Sequence, residues 1–507
     1  MNYTIPALFG IFAAVSVLLI LPFGKKYRPQ ILLLSSIVCI GYISRAGLVF
    51  LIADIILTYV AARLMDYLEK RQDLSSLEKK ERKKIKSTIK KHKKTIVTFY
   101  LFFSLGILFL LKYYRMFFEE DIIPFSSKLL LPIGLSYYTL QSIGYVLDVY
   151  RGKYSAEKNF FRLSLFISFF PQLHEGPFGR YDLLKDSLFN YEPLKKENIY
   201  NGAGKILWGL FKILMVANRA AILSDKAFSE YSSYNGSAVI LGGIFFILQL
   251  YSEFSGYIDF ASGISEIFGI KLTANFNLPF LAQDISEFWR RWHISLGTWF
   301  RDYVFYPVST SSWMRKLTKN MKTKAADFTT ITLSLLIVWS LTGIWHGASY
   351  KYLVYGLYYF ALMVIHNLLA PSANQLIEKS KFRQKSAFTG LIQIIKTNIL
   401  VVIGMIMFRA ENLTVFKNMM SSVFKPGPFF PVTEFLEPKE LFVLTISTGV
   451  IIVSGLLKMY GVDISEKFRE MGTIRKYSIC LLSTCIILIF GAYGLDYVPA
   501  DPIYGGF

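Results

Sequence analysis

The feature that most constrains this chain is a series of apolar runs, each long enough to cross a lipid bilayer. About 20 apolar residues rising 1.5 Å each match a hydrocarbon core about 30 Å thick. Residues 3 to 23, 95 to 111, 237 to 254, 328 to 345 and 441 to 457 are runs of this kind. Such a sequence specifies an all-α, polytopic transmembrane bundle. Composition agrees, since 53% of the 507 residues are hydrophobic and only 18% charged, with a mean hydropathy of +0.41. That exceeds what a soluble domain of this size carries.

The net charge of +21 would suggest nucleic acid in a soluble protein. Here the Lys and Arg residues gather in loops between apolar runs, the pattern that holds such loops in the cytosol, so no nucleic-acid partner is expected. Residues 69 to 94, EKRQDLSSLEKKERKKIKSTIKKHKK, read as a basic cytosolic loop, in part a solvated helix near anionic lipid. Lys25, Lys26 and Arg28 put the end of the first run inside, and residues 30 to 65 read as two spans turning near Arg45. Residues 3 to 23 have no basic lead or small-residue cleavage site, so they read as a retained span.

The same rule puts Glu119, Glu120 and Asp121 outside. It puts Arg151, Lys153, Lys158, the 315 to 324 cluster, residues 379 to 385 and Arg475 with Lys476 inside. About 12 crossings and an outward C-terminus follow, provided that residues 159 to 173 and 257 to 326 do not fully cross. Residues 159 to 173 interrupt apolar residues with Arg162 and Pro171, and residues 257 to 326 mix them with Pro, Gly, Arg, Asp and His. Such backbone lies at membrane depth only where protein or a water-filled cavity surrounds it, so re-entrant and interfacial helices are expected. The whole chain, 1–507, reads as one integral membrane domain of a multi-pass protein.

Cys39, Cys480 and Cys485 all lie in apolar segments and read as packing residues. No metal site is expected. A P-loop, a G-x-S-x-G elbow, an H-E-x-x-H and a Cys-x-x-Cys are all lacking. Of five histidines, His92 falls in the basic loop and reads as solvated, and His366 reads as a hydrogen-bonded structural residue. His174 falls in a short polar stretch.

His346 stands out, because Leu341-Thr-Gly-Ile-Trp-His-Gly-Ala-Ser349 joins two apolar runs and sets a titratable ring between small residues. A neutral imidazole there could take a proton from a hydroxyl and return it to a leaving group. The opposing reading is a packed structural histidine. Gly343 and Gly347 would let a substrate or another chain approach closely. His293 lies in ISEFWRRWHISLGTWFRDY, residues 285 to 303. If that segment is one helix, Trp289, His293, Gly297 and Arg301 share a face. The alternative is an interfacial helix with Trp and Arg at headgroup level. Its three arginines, Arg290, Arg291 and Arg301, would suit a phosphate-bearing donor.

Four blocks resemble the membrane-bound O-acyltransferase family, in particular its bacterial branch that modifies alginate and lipoteichoic acid. They are LPIGLSYYTLQSIGYVLDVYRG at 131 to 152, FFPQLHEGPFGR at 169 to 180, FSGYIDFASGISEIFGIKLTANFNLPFLAQDISEFWRRWHISLGTWFRDYVFYP at 254 to 307, and GIWHG at 343 to 347. A weaker echo is FRAEN at 408 to 412. The resemblance marks residues 131 to 347 as the catalytic core. Leu173, His174 and Glu175 depart from the small or apolar residues expected there.

The resemblance implies a helical bundle with a passage from the cytosol, in which His346 is the catalytic base and His293 a second catalytic residue nearer the donor. Trp345, Arg290, Arg291, Trp292, Tyr303 and Gln141 would line the substrate and donor path, with Arg301 and Asp302 ion-paired to hold a re-entrant helix. The implied activity is O-acyl transfer. A cytosolic thioester, acetyl-CoA or an acyl carrier protein, would supply an acyl group, with acetyl expected, and no cofactor would be tightly bound. The acceptor would be a hydroxyl of an extracytoplasmic polysaccharide, or a secreted or anchored acetyltransferase partner. The setting would be the bacterial inner membrane. The rivals are D-alanyl transfer to teichoic acid, a transporter or export component without covalent chemistry, and a scaffold for secreted partners.

Overall fold

A hydrocarbon solvent offers the backbone no hydrogen bonds, so apolar runs must pair their own N–H and C=O groups within a helix. The computed structural model describes residues 27–71, 78–117, 134–173, 176–190, 195–379 and 387–493, among which there is no strand. The apolar run at 3 to 23 with its retained-span reading, Lys25 and Lys26, the acidic group at 119 to 121, His174, Glu175, most of 379 to 385 and the C-terminus lie outside these residues. Among the described residues, nine helices are long and apolar enough to cross a membrane, and Arg28–Ile43 is a shorter apolar helix.

The chain divides into two units. One holds the described residues through Gly202 with Ala261–Thr273, and the other holds Ala203–Phe260 with the described residues from Ala274 onward.

In the first unit, α1 (Arg28–Ile43) and α2 (Arg45–Lys70) meet where the expected turn falls. Extended Ser44 breaks the helix, and its hydroxyl accepts from Gly47 N–H at 3.0 Å. α2 packs with α3 (Lys79–Phe117) and α4 (Leu135–Arg151). Buried Asp54 on α2 accepts from Ser142 at 2.5 Å and Ser104 at 3.3 Å. A carboxyl among apolar helices is tolerated when it is hydrogen-bonded in this way, and the bonds fix the register of all three.

Among the described residues the basic segment at 69 to 94 is largely helical. α2 runs through Lys70 and α3 begins at Lys79, because Lys, Arg and Glu are strong helix formers even where nothing buries them. Lys93 pairs with Glu69 at 2.8 Å across the connection. Two short helices, α5 (Phe160–Ser168) and α6 (Tyr181–Phe189), follow α4. At nine residues α5 cannot span.

α7 (Lys196–Phe211) and α9 (Ser237–Ile267) contribute to both units, with α8 (Asn218–Ser229) between them. A π-helical turn, Lys212–Ala217, joins α7 to α8. Such a turn frees carbonyls from the helical ladder. Those of Leu214 and Met215 accept from Arg219 Nη1, and Leu214 also accepts from Ala492 N–H at 2.9 Å. Arg219 further pairs with Glu440 at 2.7 Å and donates to Phe490 O. Through these bonds it ties the turn to α16 (Pro438–Met459) and α17 (Thr473–Phe490).

Residues 268 to 322 contain no span. They carry the seven-residue helices α10 (Ile285–Arg291), α11 (Ile294–Phe300) and α12 (Ser312–Thr318). α13 (Thr323–His346) and α14 (Tyr350–Lys379) form a helical hairpin followed by α15 (Ala387–Arg409). The hairpin closes tightly because Gly356 lies against Trp339 O and Gly343, while Gly343 lies against Tyr352 O, so a Cβ at either would strike backbone.

Candidate active site

Both candidate histidines belong to the second unit. His293 does not lie within a continuous helix. α10 stops at Arg291, Trp292 is extended, and His293 adopts a left-handed conformation at φ 48° as the N-cap of α11. The expected single face of Trp289, His293, Gly297 and Arg301 is therefore replaced by two helices meeting at His293. A non-glycine residue in this conformation persists where its surroundings hold it, and Asn275 does the holding.

Asn275 Oδ1 accepts from Ser295 N–H at 2.9 Å and Ser295 Oγ–H at 2.9 Å, and Asn275 O accepts from Ile294 N–H at 3.0 Å. His293 Nδ1 lies 3.2 Å from the same Oδ1. An amide oxygen can only accept, so Nδ1 carries the proton and Nε2 the basic lone pair. The ring is 3% exposed, and burial pushes its pKa down to about 3, which keeps it neutral. Phe254 packs edge-on against it at 4.8 Å.

His346 is the last residue of α13 and is equally buried. Rings surround it: Trp345 at 5.0 Å, Phe408 edge-on at 5.2 Å and Tyr355 edge-on at 5.7 Å. Trp345 also packs 6.0 Å from His293, so one indole bridges the two imidazoles. Trp289 on α10 extends the aromatic wall, packing edge-on against Tyr359 at 4.8 Å and Trp339 at 5.0 Å, and at 6.5 Å from Tyr355. Its Nε1–H is buried and finds no hydrogen-bond acceptor among the described residues.

The sequence-based candidates separate at this point. His293, Trp345 and His346 come together. Arg290 is exposed. Arg291 is committed to Glu287 at 2.6 Å and to Leu278 O at 3.4 Å. Trp292 stacks on Phe288 at 5.6 Å within a cluster completed by Tyr251, Phe276 and Phe280, because its extended backbone turns the indole into that core. Arg301 pairs with Asp302, its neighbour in sequence within a π turn, at 3.0 Å. Tyr303 is buried against Trp299. Gln141 lies in the other unit, where it donates to Phe166 O at 2.6 Å and accepts from Gly179 N–H at 3.2 Å.

Gly343 and Gly347 admit Tyr352 of the same chain. His92 is exposed, as is His366, which has no hydrogen-bond partner among the described residues; its position on the outer face of α14 offers none. The cysteines are unpaired. Asn275 was not anticipated, since a lone Asn before Asn277-Leu-Pro signals only a turn. Phe408 heads the FRAEN echo and packs on His346.

Residues 96–410 match the sequence profile of the membrane-bound O-acyltransferase family, MBOAT. The match covers more than half of the chain, which belongs to this family. Among curated proteins the chain is 33% identical over 301 residues to the "Probable alginate O-acetylase AlgI" of Pseudomonas aeruginosa, covering 59% of this chain and 53% of that one. It is 29% identical over 313 residues to the peptidoglycan O-acetyltransferase of Helicobacter pylori, covering 56% and 55%. It is 32% identical over 290 residues to the teichoic acid D-alanyltransferase of Bacillus subtilis, covering 55% and 69%. The chain spans about half the length of the curated alginate O-acetylase relatives it matches.

Proposed function

We propose that this protein is an O-acyltransferase of the bacterial inner membrane that moves an acyl group, acetyl by preference, from a cytosolic thioester to a hydroxyl of an extracytoplasmic polysaccharide or of a partner protein. The carrying observation is the pair of buried imidazoles, His293 and His346, bridged by the Trp345 indole. His346 takes the proton of the acceptor hydroxyl as its oxygen attacks the thioester carbonyl. The new C–O bond forms, the C–S bond breaks, and the departing thiolate takes that proton back from the imidazolium. His293, held neutral with Nδ1–H on Asn275, orients the donor through Nε2.

Negative charge develops on the carbonyl oxygen during attack and needs a preorganised donor. The buried Trp289 Nε1–H, without an acceptor among the described residues, suits that role. Exposed Arg290 is the arginine available for donor phosphates, whether coenzyme A or the arm of an acyl carrier protein brings them. Acetyl is preferred over D-alanyl because two of the three acceptor types named among relatives concern O-acetylation.

The test is ester-linked acetate released by mild alkali from the surface polysaccharide of cells carrying wild-type protein, His346→Ala or a deletion. Acetate lost equally in His346→Ala and the deletion, with the variant abundant in membranes, supports the reading. Acetate unchanged in both overturns it. Release of D-alanine instead would replace the acyl group and leave the chemistry intact.

A further inference from the structure

We propose that a cavity of about 680 Å³ in the first unit, between the start of α5 and α6, binds the phosphate-bearing headgroup of an anionic phospholipid. Three cationic side chains line it, Lys158, Arg162 and Lys185. Among the described residues none of the three has a carboxylate within ion-pair distance. The guanidinium of Arg162 on α5 lies over the ring of Phe189 on α6, 5.5 Å from its centroid. A stacked guanidinium keeps its N–H fork in its own plane, where a phosphate can meet it two-pronged.

Glu157 and Asp186 also line the cavity and offset part of this charge, leaving the three cations in excess. Glu157 is already engaged, accepting from Asn159 N–H at 2.8 Å and from Tyr181 O–H at 2.5 Å. Asp186 is exposed at the mouth. The start of α5 contributes nothing, since Asn159 Oδ1 takes the Phe161 and Arg162 N–H groups. The attraction comes from side chains alone.

Two observations favour a lipid over a soluble phosphate. Phe161 and Leu183, close in sequence to Arg162 and Lys185 on the same two helices, are 65% and 61% exposed, so each helix also offers an apolar side chain to acyl chains. The charge pattern also sets Arg151, Lys153 and Lys158 at the cytosolic face, and anionic lipid there attracts basic residues at roughly 1 kcal/mol each, about fivefold in affinity.

The full-length protein, delipidated in detergent, would be titrated with dihexanoyl-phosphatidylglycerol, dihexanoyl-phosphatidylcholine and glycerol phosphate while its melting is followed. The proposal expects saturable stabilisation by the phosphatidylglycerol alone, weakened about fivefold in Arg162→Gln and more than tenfold in K158Q/R162Q/K185Q, with both variants melting like wild type in phosphatidylcholine. These side chains border open solvent, so folding should survive, and the single variant guards against failure of the triple one. Equal stabilisation of wild type and variants overturns the site. Equal stabilisation by glycerol phosphate shows a pocket for free phosphate and overturns the lipid.

Discussion

The two buried histidines are held by opposite means. Asn275 fixes His293 through a hydrogen-bonded turn that dictates its tautomer and its left-handed backbone, whereas rings enclose His346 on at least three sides. A hydrogen bond sets which nitrogen is basic. An aromatic cage sets position and dryness. This difference is why we assign the moving proton to His346 and the orienting contact to His293.

The largest test of that division is His346→Gln, which keeps a polar side chain and removes the base. Acyl transfer measured with a radiolabelled thioester in membranes should fall by roughly 10²–10⁴-fold. A loss below tenfold would return the proton to another group. Next comes Trp289→Phe, which preserves the ring and deletes one N–H. Turnover should drop by about 10²-fold with the donor KM unchanged, as for removal of one oxyanion donor. A change within twofold, with the melting temperature preserved, would mean that the N–H merely rests on a neighbouring ring.

A smaller effect is expected on the other side of the comparison. Asn275→Ala removes the acceptor shared by Ser295 N–H, Ser295 Oγ–H and His293 Nδ1–H, and loss of one buried hydrogen bond costs about 1–3 kcal/mol. Melting should fall by several degrees and activity by about tenfold, and Asn275→Asp, which keeps an acceptor, should recover most of both. If Asn275→Asp fares no better than alanine, hydrogen bonding is not what holds His293.

Much of this architecture was legible in the chain. Apolar length gives the spans, and the break at Ser44 falls where Arg45 marks the turn. His346 and Trp345 are adjacent in one short block, and a hairpin of local residues places them together. His293 could not be read correctly, since its geometry comes from Asn275, 18 residues away, and period-four spacing assumes a helix that Asn275 interrupts. Arg291 and Trp292 failed for a related reason. Sequence shows a guanidinium or an indole, but not that Glu287 or Phe288 has already engaged it.

The smallest effect separates the two histidines by pH. His293 lies outside the candidate spans, and burial lowers its pKa to about 3, against about 6.5 in an unfolded chain. Between those values the unfolded state binds a proton that the folded state refuses, so stability falls as the pH drops from about 6.5 toward about 3. His293→Asn keeps a neutral side chain and removes that proton. The difference in stability between wild type and variant, followed from pH 7.5 to 4.5 in detergent, should be flat above the unfolded value. Below it, the difference should change by up to about 1.4 kcal/mol per pH unit in favour of the variant. Other titrating groups are common to both proteins and cancel in the difference. Parallel curves throughout would show that His293 accepts its second proton as readily in the folded protein as in the unfolded chain, and the assignment of a fixed neutral tautomer would fall with them.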